Sequence, residues 1–150
     1  MLSYFCHQFE ELSLDQLYTI LQLRQEVFIV EQDCPYLDAD GKDQGSYHVL
    51  GIDQKNRLQA YTRLVPPGIS YDRYVSIGRV VTSSEIRGKG QGIPLMNYST
   101  QQCRNLWPNH QIKISAQVYI VKFYESLGFE VVGEEYLEDD IPHIAMVLKK

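Results

Sequence analysis

Arg87-Gly88-Lys89-Gly90-Gln91-Gly92 sets three glycines and two cations between two segments of opposite character. Before it, Tyr74 to Val81 ends in the β-branched pair Val80-Val81 and reads as a buried strand. After it, Gly92 to Arg104 carries Ile93, Leu95, Met96 and Cys103 with no breaker beyond Pro94, and reads as a helix. The unit is strand, glycine loop, helix. Glycines let the backbone turn inward without a Cβ in the way, and the N–H groups of the first helical turn point into the same space with the positive end of the helix dipole. Pro94 fits the start of that helix, where a missing N–H costs little. A loop of this kind holds phosphate.

Two common nucleotide motifs are excluded. A P-loop requires Ser or Thr after Gly-Lys, and here Gly88-Lys89 is followed by Gly90. A dinucleotide fingerprint requires a further glycine where Ile93 stands and an acidic residue about 20 positions later, near Asn109 and His110, where none occurs. The charge pattern favours an anion all the same. Residues 86–124 hold no Asp or Glu and five Lys or Arg, whereas residues 1–85 hold 12 acids against 7 bases and residues 125–150 hold 7 against 2. An acidic chain that gathers its cations around one loop concentrates an anionic ligand there.

At 150 residues the chain is expected to form one domain, residues 1–150, large enough to bury most of its apolar surface. No apolar run reaches about 18 residues and no signal-peptide pattern stands at the N-terminus, so no membrane association and a cytoplasmic location are expected. Cys6, Cys34 and Cys103 are odd in number and scattered, which opposes a disulfide framework and a cysteine-rich metal site. A pI near 5.3 with no basic arm opposes nucleic acid as a partner.

Leu2 to Phe9 reads as a first strand, and Ser13-Leu14-Asp15-Gln16 as a capping box that opens a helix with Leu14, Leu17, Tyr18 and Leu21 as its apolar stripe. Glu31 to Gly45, with Asp33, Asp38, Asp40 and Asp43, reads as a long acidic loop, solvated or functional. Tyr47 to Ile52 and Leu58 to Val65 are strands joined by a hairpin-length connection. Gln111 to Ala116 resumes as a strand. Val118 to Leu127 is a helix with Ile120, Phe123, Tyr124 and Leu127 on one face, stopped by Gly128. Phe129 to Val132 and His143 to Leu148 are the last strands, linked by the acidic run Glu134 to Asp140. The order predicts a mixed α/β domain: a twisted mixed sheet of about 6–7 strands flanked by about 4 helices.

These pieces resemble the GCN5-related N-acetyltransferases. Arg87 to Gly92 fits that family's Gln/Arg-x-x-Gly-x-Gly/Ala pattern, and Phe123-Tyr124-Glu125-Ser126-Leu127-Gly128-Phe129 is similar to its Tyr-x-x-x-Gly-Phe helix ending. Leu23 to Gln32, Cys34-Pro35-Tyr36, Asp40, Asp43 and His48 resemble its ElaA-like subgroup.

The resemblance implies an acetyl-coenzyme A cosubstrate, its pyrophosphate on Arg87, Gly88, Lys89, Gly90, Gln91 and Gly92 and its pantetheine arm along Val80 and Val81. It implies a primary amine of a small molecule or peptide as acceptor, attacking the thioester directly, with a backbone N–H of the strand stabilising the oxyanion. Tyr124 matches the tyrosine that protonates the departing thiolate. Gln117 stands where the family often has a cofactor-contacting Asn. The Glu that some members use as base is missing from Tyr74 to Val81, which leaves Glu31, Asp33, His48 and His143 as candidates, with His48 set beside Tyr124 in the catalytic group. Neither a metal nor a nucleic-acid or membrane partner is implied, and a homodimer is left open. The alternatives are a non-catalytic acyl-coenzyme A-binding module and a thiol enzyme using Cys34 with His48.

Overall fold

The computed structural model describes residues 1–149. Seven strands form one sheet: β1 (Ser3–Gln8), β2 (Tyr47–Ile52), β3 (Leu58–Val65), β4 (Tyr74–Thr82), β5 (Gln111–Gln117), β6 (Glu130–Glu138) and β7 (Ile141–Leu148). Their order is β1-β2-β3-β4-β5-β7-β6, with β4 and β5 parallel and every other pair antiparallel. Three α-helices, α1 (Leu14–Arg24), α2 (Gly92–Leu106) and α3 (Val121–Ser126), flank the sheet.

Side chains alternate across a strand, so consecutive residues feed two cores. Leu50, Tyr61 and Val81 pack with Ile20 and Leu23 of α1. Val49, Ala60, Leu64, Val75 and Ile77 pack on the opposite face with Leu95, Met96 and Cys103 of α2 and Tyr124 of α3.

The α1 capping box forms as expected, Ser13 Oγ accepting from Gln16 N–H while Gln16 Oε1 accepts from Ser13 N–H. Its buried face differs from the expected stripe. Leu14 and Tyr18 are exposed, and Ile20, Leu23 and Arg24 are buried instead. A search for apolar spacing passes over Arg24, whose guanidinium is taken into the interior by two carboxylates. Beyond Arg24 the helix widens into a π-type turn, Gln25–Glu31.

Two further expectations are corrected. Glu134 to Glu138 is part of β6, not of a loop, and only Asp139 and Asp140 make the turn into β7, both at positive φ. Between Val132↔Ala145 and Tyr136↔His143, β6 advances four residues while β7 advances two. Gly133, at φ 78°, lies in the resulting bulge, which lets the strand run on past Val132. The helix expected over Val118 to Leu127 begins as a 3₁₀ turn, Val118–Ile120, before α3, and Gly128 closes it at φ 98°.

Candidate active site

The site begins where two parallel strands part. β4 and β5 pair only from Tyr74↔Gln111 to Ser76↔Lys113, so beyond them the β5-facing edge of β4 has no strand partner. At the same place β4 bulges: from Arg63↔Gly78 to Tyr61↔Val81, β4 advances three residues against two in β3. Arg79 is in the left-handed region at φ 51°. The extra residue shifts the alternation, so that the α2-facing side carries Val75 and Ile77 and then Val80. Val81 turns towards α1.

Arg79 is held by the segment read as an acidic loop. Its Nε donates to Asp38 Oδ1 at 2.8 Å, its Nη2 to the Asp38 carbonyl at 2.9 Å, and its guanidinium lies 5.4 Å from the centre of the Tyr36 ring. Arg24 donates to Asp38 and Asp43, and Arg63 to Asp40 and Asp43, all at 2.8–2.9 Å. Asp38 and Asp43 are buried. The expectation of a solvated loop is therefore corrected: three carboxylates are neutralised by three guanidiniums from α1, β3 and β4. Burial opposes ionisation of Asp40, yet the Arg63 guanidinium, the Lys42 N–H and Arg79 outweigh it and hold its carboxyl well below the usual range. Arg24 and Arg63 likewise outweigh burial at Asp43.

His48 belongs to this network and not to the cavity. It has no exposed surface. Nε2 lies 2.9 Å from the Asp43 carbonyl, which can only accept, so Nε2 carries the proton and Nδ1 accepts from the Tyr61 hydroxyl at 2.6 Å. Burial keeps the ring neutral by lowering its pKa. With both nitrogens engaged, His48 has none to offer an amine. It also stands apart from Cys34, whose Sγ lies 3.5 Å from the Asp139 carbonyl, so the structure forms no Cys34–His48 pair.

The parted strands open a cavity of about 680 Å³ lined by Gly78, Val80, Val81, Arg87, Gln117 and Tyr124 among others. A Cβ at Gly78 would meet nothing within 4 Å, so the strand leaves room there. Gly88 and Gly90 take φ of 81° and 75°, which turns the loop sharply ahead of α2. Among the described residues the N–H groups of Gly88, Gly90 and Gln91 have no backbone acceptor. Gln91 is the N-cap residue of α2, and Gly92 lies against Phe123, whose ring a Cβ would meet at 3.2 Å. Three of the five cations of residues 86–124 are paired with other groups or lie far along α2 from the open N–H groups. Arg87 pairs with Glu31 at 2.6 Å, Lys113 sits over the Tyr71 and Tyr74 rings, and Arg104 lies in the last turn of α2. Lys89 remains as the loop's own cation, beside the open N–H groups.

Tyr124 is buried between Phe123 and Phe129. Its hydroxyl has no hydrogen-bond partner among the described residues, yet it is not among the sealed-in polar atoms, so it opens onto the cavity. Burial, with Tyr119 nearby, pushes its pKa up to about 12.

The cavity is also lined by residues of β7, β6 and β5 that spacing alone did not single out as a group: His143, Glu138 and Ser115. Arg24, Arg63 and Arg79 were passed over as well. The one signal for them is the clustering of Asp38, Asp40 and Asp43 in a chain whose interior must then supply counter-charges.

A sheet splayed between two parallel strands, with a glycine loop at the head of the adjoining helix, is the fold of acyl-coenzyme A N-acyltransferases. The chain belongs to the GNAT acetyltransferase family, whose domain model, described as acetyltransferase (GNAT) domain, matches residues 18–150. Within it the chain falls in the ElaA-like subgroup. Protein ElaA of Escherichia coli K12 is 44% identical over 138 residues, 91% of this chain and 89% of ElaA. A UPF0039 protein of Synechocystis is 42% identical over 95% of this chain and 92% of its own length. Among solved structures, an acyl-CoA N-acyltransferase from Pseudomonas aeruginosa superposes with a TM-score of 0.93 at 42% identity, covering 99% of this chain and 100% of the other. Among more distant structures, an aminoglycoside 6'-N-acetyltransferase complexed with coenzyme A shares the fold, with a TM-score of 0.70 at 17% identity and 95% of each chain covered. Among the described residues no helix is long and apolar enough to cross a membrane.

Proposed function

We propose that the protein transfers an acetyl group from acetyl-coenzyme A to a primary amine of a small molecule or peptide, by direct attack of the amine. The observation that carries this reading is that one cavity joins the unpaired edge of β4 to the Tyr124 hydroxyl and is lined at Arg87 by the first residue of the glycine loop, whose following N–H groups at Gly88, Gly90 and Gln91 are open. These residues fit the cosubstrate: the N–H groups of Gly88, Gly90 and Gln91, with Lys89, would hold its pyrophosphate, and the edge from Ile77 to Thr82 would pair with its extended arm. Bound there, the cosubstrate supplies an acyl group activated as a thioester.

Val80 and Val81 lie on the edge that orients the acyl group, and Gln117 lines the facing wall. Tyr124 delivers a proton to the leaving sulfur. A phenol held at about pKa 12 carries its proton throughout the neutral range, so the hydroxyl is present in its donor form. The test is release of free thiol from acetyl-coenzyme A in the presence of a panel of amines. Tight coenzyme A binding without turnover of any amine would point instead to a non-catalytic binding module.

A further inference from the structure

We propose that Glu138 and His143 together receive the acceptor, the Glu138 carboxylate capturing a protonated primary amine and His143 Nε2 taking the proton the amine must lose before it attacks. The inference rests on the acyltransferase reading and adds to it the general base and the acceptor class, a cationic alkylamine.

The tautomer is set by the backbone. His143 Nδ1 lies 2.7 Å from the Ile141 carbonyl, which only accepts, so Nδ1 carries the hydrogen and the neutral ring presents a lone pair at Nε2. That nitrogen lies 3.6 Å from Glu138 Oε2. Two acceptors that close cannot bond to each other. A donor with two hydrogens, such as an ammonium group, satisfies both, and once His143 is protonated the pair becomes an ion pair. The two side chains divide the task by exposure: Glu138 is 52% exposed and His143 only 8%. The carboxylate meets an incoming cation, and the imidazole waits deeper in the same cavity that Tyr124 lines.

The strands hold the pair in place. The bulge in β6 sets Tyr136 opposite His143, and the two rings stack at 6.2 Å. Ser115 of β5 hydrogen-bonds the Tyr136 hydroxyl and lies 3.4 Å from Glu138 Oε1. Beside His143 stand Tyr136 and Glu138 from β6 and Gln117 from β5, with Asp139 and Asp140 following Glu138 in the turn, while Tyr71, with Lys113 above its ring, lies near Tyr136 and Glu138. Among the described residues no Lys or Arg pairs with Glu138, which leaves its charge for a ligand.

The protons and bonds balance. The ammonium loses one proton to Nε2, and His143 passes it to water at the cavity mouth. The amine nitrogen forms the N–C bond, the C–S bond breaks, and the sulfur takes the Tyr124 proton. Tyr124 recovers a proton from the nitrogen that has become an amide. The sum is amide, thiol and one proton released.

The experiment compares His143→Gln and Glu138→Gln on the best alkylamine from the panel and on its weakly basic fluorinated analogue, which is already neutral at the assay pH. His143→Gln is expected to lower kcat/KM for the alkylamine about 100-fold and to flatten the acidic limb of its pH profile. The loss on the fluorinated analogue should be several-fold smaller, while coenzyme A still raises the melting temperature as in the wild type. Glu138→Gln should raise KM for the alkylamine about 5-fold, as expected for one half-exposed charge contact, and leave KM for the neutral analogue unchanged. An equal loss on both amines in His143→Gln, or wild-type kinetics in both variants, would overturn the assignment while leaving the acyltransferase reading intact. If His143→Gln does not fold, an unchanged ratio of the two KM values in Glu138→Gln overturns it. A wild-type protein that turns over no amine removes both readings together.

Discussion

Arg79 Nε lies 2.8 Å from Asp38 Oδ1, so the residue that β4 carries in excess over β3 is tied by its side chain to the segment following α1. The bulge that frees the β4 edge is thus anchored by a half-buried ion pair. Arg24 reaches the same carboxylate from the opposite side at 2.8 Å. Asp38→Asn should leave the Arg24 guanidinium short of one counter-charge in the interior and cost about 3 kcal/mol, lowering Tm by about 6–12 °C. Arg79→Ala should cost less, because Arg79 is partly exposed, but it should weaken coenzyme A binding by relaxing the bulge. Calorimetric melting and a coenzyme A titration check both. A variant with wild-type stability at Asp38 would show that the network is not what anchors the bulge.

Acid should dismantle this network. The folded pKa values of Asp40 and Asp43 lie below their unfolded ones, since their guanidinium partners outweigh the cost of burial. Their contribution is therefore fully present above about pH 4 and is lost as pH falls through the folded values. Tm measured from pH 7 downwards should hold until about pH 4–5 and then drop. The drop should be shallower in Asp43→Asn, which starts from a lower Tm.

Coenzyme A should stabilise the fold through the glycine loop. At about 100-fold over Kd, linkage gives about 2.7 kcal/mol, or about 5–10 °C in Tm. Gly90 is at φ 75° with nothing within 4 Å of an added Cβ, so Gly90→Asp acts through charge beside the phosphate site and through backbone strain, not through a clash. The ligand-induced shift should largely vanish while the ligand-free Tm falls by only a few degrees. A full shift in the variant would place the phosphates elsewhere.

Tyr124→Phe should lower kcat by about 10- to 100-fold with coenzyme A binding retained. With its pKa raised by burial to about 12, the hydroxyl of the folded protein stays protonated well past the ordinary tyrosine value near 10. The wild-type rate should therefore show no loss from Tyr124 ionisation below about pH 11. An equal single-turnover rate in Tyr124→Phe would make the tyrosine a core residue only.

Attraction of a cationic acceptor should weaken with salt, because the Debye length shortens from about 30 Å at 0.01 M to about 10 Å at 0.1 M. The carboxylates responsible are Glu138 at the end of β6 and Asp139 and Asp140 of the turn that follows, since Asp38 and Asp40 are already neutralised by arginines. Asp139→Asn with Asp140→Asn should flatten the salt dependence of kcat/KM, whereas Asp38→Asn should change stability and leave that slope alone. Initial rates across a salt series distinguish the two.

The order of strands and helices and the glycine loop could be read from local pattern: β-branched runs, a capping box and positive-φ glycines act within a few residues. Tyr124 was visible for the same reason, through its spacing to Gly128 on one short helix. The two bulges were not, because a bulge is a mismatch between two strands and exists only once they pair. Hence Glu134 to Glu138 read as loop, and Arg79 as an ordinary strand residue.

What the sequence by itself determined is the class of fold, the place of the glycine turn ahead of α2 and the position of Tyr124 on the short helix that Gly128 ends, all consequences of short-range backbone preference. What only the tertiary structure decided is which charges are spent inside the protein. Asp38, Asp40 and Asp43 lie 14 to 41 residues from the arginines that neutralise them, and His48 loses both nitrogens to Tyr61 and a carbonyl. Glu138 and His143, by contrast, meet across a hairpin with their polar atoms turned to the cavity. Coulomb and hydrogen-bond energies depend on distance in space, and the chain sets those distances only when the sheet closes.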